Sequence, residues 1–354
     1  MKRGTVSSHH RTDVGPPRDE GELELLLTTP SPRLIQDVAS IDGDILVLGA
    51  GGKMGPSLCG LAAQAMRAAG TQSRVVAVSR FSDAAVRGDL ESRGVRTVVA
   101  DLLDDEQLSG LPDAPNIIYM AGRKFGTLGQ EHHTWAMNAY VPARVGRRYR
   151  HARIVVFSSG NLYPFVDPGS GGVTEATAPA PVGEYAQSCL ARERAFEHVS
   201  SVHGTHVAIF RLNYAVDMRY GVLSDIGRTL MRREPVSLAV PAFNAVWQGD
   251  ANEYAIRALG YCASPPTVLN ATGPETISVR WAAERLAERL GVEPEFVDAG
   301  PQTALVANAS VIHSLLGYPL VTLHQMIDWT AAWLAAGGPL WDRPTKFHIR
   351  NGGY

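Results

Sequence analysis

A glycine-rich turn is the clearest candidate for chemistry in this sequence of 354 residues. It follows the apolar run Asp44–Leu48 and precedes a helical pattern over Pro56–Met66. Backbone N–H groups in a turn with few side chains can approach a phosphate, and the following helix presents its positive dipole end to the same anion. The sequence predicts a dinucleotide site with the turn residues Gly49, Gly51, Gly52, Lys53, Met54 and Gly55. A turn selected only for close packing of helix on strand remains the alternative.

The end of the second apolar run bears on which nicotinamide cofactor would bind. An acid at this place would bond the ribose 2′-hydroxyl, but the chain has Ser79 and Arg80 there. An arginine suits a 2′-phosphate, so the sequence favours NADP over NAD. The alternative is an NAD protein in which Arg80 stacks on the adenine.

The elements that must position this turn follow a regular rhythm. Short β-branched runs alternate with helical patterns, and the runs are Asp44–Leu48, Arg74–Ser79, Val95–Ala100, Pro115–Met120, Arg153–Ser158 and His206–Phe210. Nearly continuous apolar strands separated by helices indicate a parallel sheet covered on both faces. We therefore predict an α/β fold with a Rossmann-type, doubly wound parallel sheet.

The alternation of strand and helix patterns becomes less regular after Arg211, which suggests a second structural unit. We predict a flexible N-terminal tail over residues 1–21 and a dinucleotide-binding Rossmann domain with an N-terminal extension over 22–212. Residues 213–354 are predicted to form mainly a smaller α/β substrate subdomain, with some segments returning to the Rossmann core. Its clearest helical patterns cover Val279–Leu290 and Leu323–Leu334.

Composition excludes several classes of protein. Hydrophobic residues make up 45% of the chain and charged residues 19%, which is typical of a globular protein. The net charge of −2 gives no basic field for nucleic acid or membrane surfaces, and we expect neither partner. The three cysteines Cys59, Cys189 and Cys262 form no CxxC pair, so neither a disulfide framework nor a metal site is predicted. No apolar run suggests a membrane span or a signal peptide, and a cytoplasmic protein is expected.

Two further segments carry a resemblance to a known family. Val155–Pro164 and Glu184–Glu197 resemble the extended short-chain dehydrogenase/reductase family, the NAD-dependent epimerase/dehydratases of sugar nucleotides. The resemblance covers about residues 43–337. It implies that Asn138, Ser159 and Tyr185 are the catalytic Asn, Ser and Tyr. The other cofactor contacts expected with it are Ser79, Asp101, Leu102, Ala121, Gly122 and Cys189, and the expected substrate contacts are Arg123, Asn161, Asn213 and Trp247. Trp247 could equally be a core residue of the smaller subdomain.

The catalytic helix departs from the family pattern. The family has Tyr-x-x-x-Lys, but the fourth residue after Tyr185 is Cys189. Residues four apart share a helix face, so the family's ammonium holds the nicotinamide ribose and lowers the phenol pKa. A thiol does neither, and we expect Tyr185 to keep a pKa of about 10 and to serve more readily as a proton donor. Arg192, seven residues after Tyr185, could face the same side, but its guanidinium cannot lose a proton.

A second departure follows the fourth predicted strand. The segment Ala121–Gly126 contains Arg123 and Lys124 at the sheet edge where ligands bind in open α/β folds. Lys124 could supply the missing catalytic ammonium. The alternatives are that these cations grip a phosphate of the substrate or cofactor, or that they are solvated loop charges.

The resemblance implies an NAD(P)-dependent oxidoreductase, epimerase or dehydratase. Its substrate would be a sugar, a sugar nucleotide or a similar small polar molecule, processed by hydride transfer. The alternative is a catalytically degenerate nucleotide-binding or regulatory protein of the same fold, which the absence of the lysine favours. The resemblance also implies a homodimer.

Overall fold

A seven-stranded parallel sheet is the centre of the computed structural model, which describes residues 14–298, 300–341, 343 and 345–353. The strand order is β11-β6-β5-β4-β1-β2-β3, so the chain reverses its direction of growth between β1 and β4. The predicted doubly wound α/β fold is confirmed. The strands are β1 Ile45–Leu48, β2 Val75–Ser79, β3 Arg96–Val99, β4 Asn116–Tyr119, β5 Arg153–Ser159, β6 Val207–Leu212 and β11 Thr267–Ala271.

Helices cover both faces of this sheet because successive strand side chains point to opposite sides. In β1, Val47 packs into a core with Leu58, whereas Leu48 packs into a second core with Val145 and Phe196. The helices of this part are α1 Glu20–Thr28, α2 Pro32–Val38, α3 Gly55–Ala69, α4 Ala84–Ser92, α5 Asp105–Ser109, α6 Glu131–Trp135, α7 Val141–Arg148 and α8 Gly183–His203.

The remaining chain builds a smaller unit around a third core. Trp247 and Trp329 meet edge to face in it, and Leu23 and Leu27 of α1 pack into the same cluster. The helices of this part of the chain are α9 Val222–Met231, α10 Gln248–Arg257, α11 Val279–Leu290, α12 Ser310–Leu316 and α13 Leu323–Ala335. Of these, α9, α11 and α13 pack into the third core, whereas α10 and α12 pack into the core that contains Val47 and Leu58. The short strands of this part are β7 Ala215–Val216, β8 Val236–Ser237, β9 Ala242–Phe243, β10 Val246–Trp247, β12 Ile277–Ser278 and β13 Phe296–Val297.

Local sequence signals explain where several helices begin and end. Ser31 caps α2 ahead of Pro32, and Thr322 forms a reciprocal capping box with Gln325 at the start of α13. α8 ends at Gly204, whose φ of 68° suits a residue without Cβ. Residues 1–13 of the predicted flexible tail lie outside the described residues.

Two properties bear on the function. Among the described residues, no helix combines the length and the apolar character needed to cross a bilayer. The same part of the chain contains no group of three or more His, Cys, Asp or Glu side chains arranged to hold a metal ion.

Candidate functional site

The glycine turn between β1 and α3 is built by close backbone approaches. Gly49 has a φ of 91°, and a Cβ there would lie 2.5 Å from the backbone N of Ala121. A Cβ on Gly55 would lie 2.2 Å from the carbonyl oxygen of Ala50. Both positions therefore need glycine for packing, whereas a Cβ on Gly52 would meet only the Gly49 carbonyl oxygen, at 3.4 Å. The outer side of the turn, at Gly52, is open.

The first turn of α3 has no side-chain cap. Unpaired N–H groups at the start of a helix, together with the positive dipole end, form an anion site. The uncapped 15-residue helix and the open Gly52 thus present one backbone surface to a phosphate.

A cavity of about 320 Å³ lies beside this turn at the carboxyl ends of β1–β4. It brings together most of the predicted cofactor residues, namely Gly49, Gly51, Gly52, Ser79, Arg80, Asp101, Leu102, Ala121 and Gly122. Lys53, Met54, Gly55 and Cys189 do not line it. A larger groove of about 970 Å³ lies between α5 and α7 and contains none of the predicted site residues.

Two arginines reach the cavity from different parts of the chain. Arg80 is largely exposed, and its Nη1 lies 3.9 Å from Oδ2 of Asp101. Arg343 lines the same cavity from the C-terminal segment. Nothing in the spacing of the sequence associates Arg343 with the glycine turn, and sequence reasoning missed it.

Ser159 and Tyr185 meet at the same edge of the sheet. Ser159 is the last residue of β5, and Tyr185 lies in the first turn of α8. Their side chains are hydrogen-bonded, and Ser159 Oγ also accepts a bond of 3.1 Å from the backbone N–H of Asn161. Burial, followed by the nearby Cys189, raises the pKa of Tyr185 well above its ordinary value. The phenol is therefore protonated at neutral pH.

Asn138 is buried and lies in a π-helical turn, Ala136–Tyr140, between α6 and α7. Pro142 follows and cannot donate a hydrogen bond to the carbonyl four residues earlier, which favours the wider turn. The Asn138 amide donates to the carbonyl oxygen of Arg123 at 2.8 Å and to Ser188 Oγ at 3.0 Å. Its Oδ1 accepts from the backbone N–H of Arg123 at 2.8 Å. Asn138 thus ties the loop after β4 to α8.

Cys189 occupies the place of the family's lysine and is fully buried. Its side chain is hydrogen-bonded to that of Tyr185, and burial raises the pKa of the thiol. Arg192, one turn further along α8, donates to Asn138 Oδ1 at 2.8 Å and to the Phe157 carbonyl oxygen at 2.7 Å. The structure thus brings a guanidinium into the cluster of Tyr185, Cys189 and Asn138.

Two lysines with lowered pKa values face this region. The Nζ of Lys124 lies 5.8 Å from the centroid of the Tyr185 ring, and burial lowers the pKa of Lys124 to about 8. Lys53 donates to the Ala215 carbonyl oxygen at 2.9 Å and lies over the Tyr220 ring, 3.7 Å from its centroid. Burial, opposed by the charge of Asp217 and aided by that of Lys124, lowers the pKa of Lys53 to about 7.

The predicted substrate residues lie in different environments. Arg123 is half-buried and donates to the Gly126 carbonyl oxygen, while Asn161 follows Ser159 in a short 3₁₀ turn. Asn213 is buried, with Nδ2 3.2 Å from the Leu305 carbonyl oxygen. Trp247 is fully buried against Trp329, so the structure does not bring it to the Ser159–Tyr185 pair.

A buried ion pair supports α8 beneath the site. Glu193 accepts from Arg211 Nε at 3.0 Å and from Nη2 at 2.7 Å, and Arg211 Nη1 donates to the Tyr163 hydroxyl at 2.6 Å. Ser158 Oγ donates to the same carboxylate at 2.5 Å. This network joins α8 to the carboxyl ends of β5 and β6 next to Ser159.

The C-terminal segment returns to the site. Beyond the cavity residue Arg343, the backbone N–H of Thr345 donates to Asp225 Oδ2 at 2.7 Å. Gly352 packs against Gly183, the first residue of α8, where an added Cβ would lie 2.8 Å from the Gly352 Cα. Residues 343 and 345–352 therefore connect the cofactor cavity with the start of the helix that carries Tyr185.

Comparison with known proteins places this geometry in a family. Residues 45–216 match the NAD dependent epimerase/dehydratase family. This part of the chain belongs to that family. The resemblance carried by Ser159 and Tyr185 is thereby confirmed at the level of the family. The comparison with curated proteins gives no match.

Solved structures in the same comparison share the fold of this chain. UDP-glucuronic acid 4-epimerase from Bacillus cereus in complex with NAD is 19% identical, with a TM-score of 0.69 over 82% of this chain and 98% of that one. MoeE5 in complex with UDP-glucose and NAD is 22% identical, with a TM-score of 0.65 over 83% and 99%. A UDP-galactose 4-epimerase is 21% identical, with a TM-score of 0.65 over 84% and 100%.

Proposed function

We propose that the protein is an NAD(P)-dependent oxidoreductase, epimerase or dehydratase that acts on a sugar nucleotide, or a similar small polar substrate, through hydride transfer. One observation carries this proposal. The hydroxyl groups of Ser159 and Tyr185 are hydrogen-bonded at the carboxyl edge of the sheet, where ligands bind in this fold. The match of residues 45–216 to the NAD dependent epimerase/dehydratase family supports it.

The residues beside the glycine turn fit a nicotinamide dinucleotide. The uncapped start of α3 and the open Gly52 would hold the pyrophosphate, and the cavity at Ser79 and Asp101 would hold the adenosine. A bound nicotinamide supplies the hydride acceptor and donor. Proton transfer and the positioning of the substrate would be carried out by side chains of this protein.

Tyr185 is proposed to move the proton that accompanies the hydride. Because its pKa is raised, the phenol is protonated at neutral pH and can donate to a substrate oxygen. Ser159 would hold the same oxygen through its hydroxyl. Lys124, with a pKa of about 8, can take up or release a proton near neutrality and is proposed to restore the proton on Tyr185.

The test is single-turnover hydride transfer at the nicotinamide absorbance, with UDP-glucose, UDP-galactose and UDP-glucuronic acid as first substrates. Tyr185→Phe should lower the rate by about 10²-fold or more, because general acid catalysis contributes that much, and should leave cofactor affinity unchanged. Tyr318→Phe, which changes an exposed phenol, is the matched control. Wild-type rates in Tyr185→Phe would refute the proposed chemistry.

A nucleotide-binding or regulatory protein is the second candidate, and the buried Cys189 in the lysine position favours it. This candidate predicts that the wild-type protein binds a nicotinamide dinucleotide in calorimetric titration but transfers hydride with none of a broad set of sugar nucleotides. Hydride transfer that depends on Tyr185 would exclude it.

A preference for NADP is proposed from Arg80, whereas the similar structures described with a nicotinamide cofactor, the Bacillus cereus epimerase and MoeE5 among them, contain NAD. Arg80 is free to turn toward a 2′-phosphate because 70% of its side chain is exposed. Arg80→Ala should then weaken NADPH binding by about 1.5–3 kcal/mol and leave NADH binding nearly unchanged. Equal losses for both cofactors, measured by calorimetry, would contradict the phosphate role.

A cytoplasmic homodimer is proposed from the resemblance and from the cysteine usage. Light scattering after size exclusion should give the mass of two 38.1 kDa chains. The mass of a single chain at micromolar concentration would refute the dimer.

A further inference from the structure

The guanidinium of Arg192 interacts electrostatically with Cys189, which lies one turn earlier on α8. Helix side chains lean toward the N-terminus, so a long side chain seven residues after Tyr185 reaches back by one turn. Its Nη2 would be only 2.5 Å from a Cβ on Gly122, so the guanidinium lies directly against the loop after β4. Gly122 lines the cofactor cavity on its other side.

The surroundings hold this cation in one place. Nη1 and Nη2 are fixed by the Phe157 carbonyl and by Asn138, and the side chain is only 6% exposed. Nε is buried without a hydrogen-bond partner among the described residues. Within the same residues, no carboxylate oxygen lies within the 4 Å of an ion pair with Arg192, and the nearby Glu193 is paired with Arg211 instead. The electrostatic field of a buried cation without such a partner is not compensated by a counter-charge and therefore acts on nearby groups.

The groups that face this charge belong to the candidate site. Those that interact electrostatically with Arg192 are Cys189, Tyr119, Tyr185 and Glu193. The charge of Arg192 lowers the pKa values of both Tyr185 and Cys189, against the effect of burial. Lys124 is a second cation near Cys189, from the loop after β4.

We propose that Arg192 is a positioning residue that replaces the family's lysine charge, reaching Tyr185 from seven residues away. It stabilises the phenolate that forms when Tyr185 gives up its proton, and through Asn138 it fixes the loop at Gly122. Because a guanidinium does not exchange protons, the charge is permanent across the working pH range. This inference rests on the proposed function for its catalytic meaning but not for its electrostatic test.

The electrostatic test measures the ionisation of Tyr185 without turnover. Protein labelled with fluorotyrosine, whose phenol is more acidic than that of tyrosine, is titrated by ¹⁹F NMR, and Tyr185→Phe assigns the signal. Arg192→Gln should raise the pKa of residue 185 by about 1–2 units, the size expected for removing an opposite charge that acts on an ionisable group. Adding Cys189→Lys to that variant should bring the pKa back to the wild-type value or below it.

Controls separate this effect from general damage to the helix. Arg194→Gln changes an exposed arginine of the same helix and should leave the titration unchanged. A rise of less than about 0.3 units in Arg192→Gln would overturn the proposal. If Arg192→Gln does not fold, Arg192→Lys is used because it keeps the charge. The pKa of Tyr185 in that variant must lie within half a unit of the wild-type value, and a rise of about one unit would overturn the proposal.

Hydride transfer then tests the catalytic meaning. Arg192→Gln should slow the transfer about 10-fold or more, and the added Cys189→Lys should restore most of the rate. The pKa of Tyr185 could rise as expected in Arg192→Gln while the wild-type protein transfers hydride with no substrate. That result would refute the proposed function and would leave the electrostatic role of Arg192 intact. Hydride transfer that is unaffected by Arg192→Gln would refute the role of Arg192 alone.

Discussion

Replacing Gly52 with Asp should remove dinucleotide binding without removing the fold. A Cβ at this position meets nothing closer than the Gly49 carbonyl oxygen at 3.4 Å, an ordinary contact. The new carboxylate would stand on the open side of the turn, where the pyrophosphate is proposed to bind. Two like charges about 4 Å apart at an effective dielectric of about 20 repel by about 4 kcal/mol, which corresponds to about a 10³-fold loss of affinity.

Calorimetric titration with NADH and NADPH measures this loss. Gly52→Asn has the same shape without the charge, so the difference between the two variants isolates electrostatic repulsion from steric exclusion. Gly55→Ala is the packing control, because its Cβ would lie 2.2 Å from the Ala50 carbonyl oxygen and should lower the urea midpoint. Undiminished binding in a folded Gly52→Asp protein would refute the reasoning and move the cofactor site elsewhere.

Two further predictions concern buried charges. Arg211→Met should lower the free energy of unfolding by about 3–5 kcal/mol because it leaves Glu193 buried without its partner. The same change at the exposed Arg194 should cost about 0.5 kcal/mol or less, and equal urea midpoints would contradict the prediction. The pKa of Lys53 is about 7 in the folded protein and 10.5 ordinarily, so the unfolded chain binds more protons between these values and stability rises with pH. Relative to Lys53→Met, the wild type should therefore gain about 2 kcal/mol of unfolding free energy between pH 7 and pH 9, and a constant difference would refute the lowered pKa.

The sequence predicted the parts of the fold that depend on local pattern. The helix predicted over Val279–Leu290 has the same bounds in the structure, and the glycine turn lies between a buried strand and a helix as expected. These features follow from side-chain periodicity and from steric limits on glycine, which neighbouring residues determine. Ser159 lies at the end of a strand and Tyr185 at the start of a helix for the same reason.

The long-range contacts could not be predicted in this way. The sequence indicated that Arg192 shares a face with Tyr185, but not that it donates to Asn138, 54 residues earlier. Arg343 lines the cofactor cavity and lies outside any helix or strand, so no periodic signal marks it. Trp247 was a predicted substrate contact, and its place in a tryptophan cluster depends on α13, whose packing partner no local pattern specifies.

The π-turn at Ala136–Tyr140 has a consequence for how this region tolerates changes in length. Such a turn contains one more residue than a regular α-helical turn, and the backbone N–H of Val141 closes it on the Ala136 carbonyl. Deleting one residue there would let an unbroken α-helix form, and the helices on either side would keep their faces because the wide turn and the regular turn each complete about one rotation. The side chains within the turn itself would shift around the helix axis, and the amide of Asn138 would leave the loop and α8 that it connects. A change of one residue in the length of this turn could thus leave the protein folded and still be unfavourable, because the side chain of Asn138 would lose its hydrogen-bond partners.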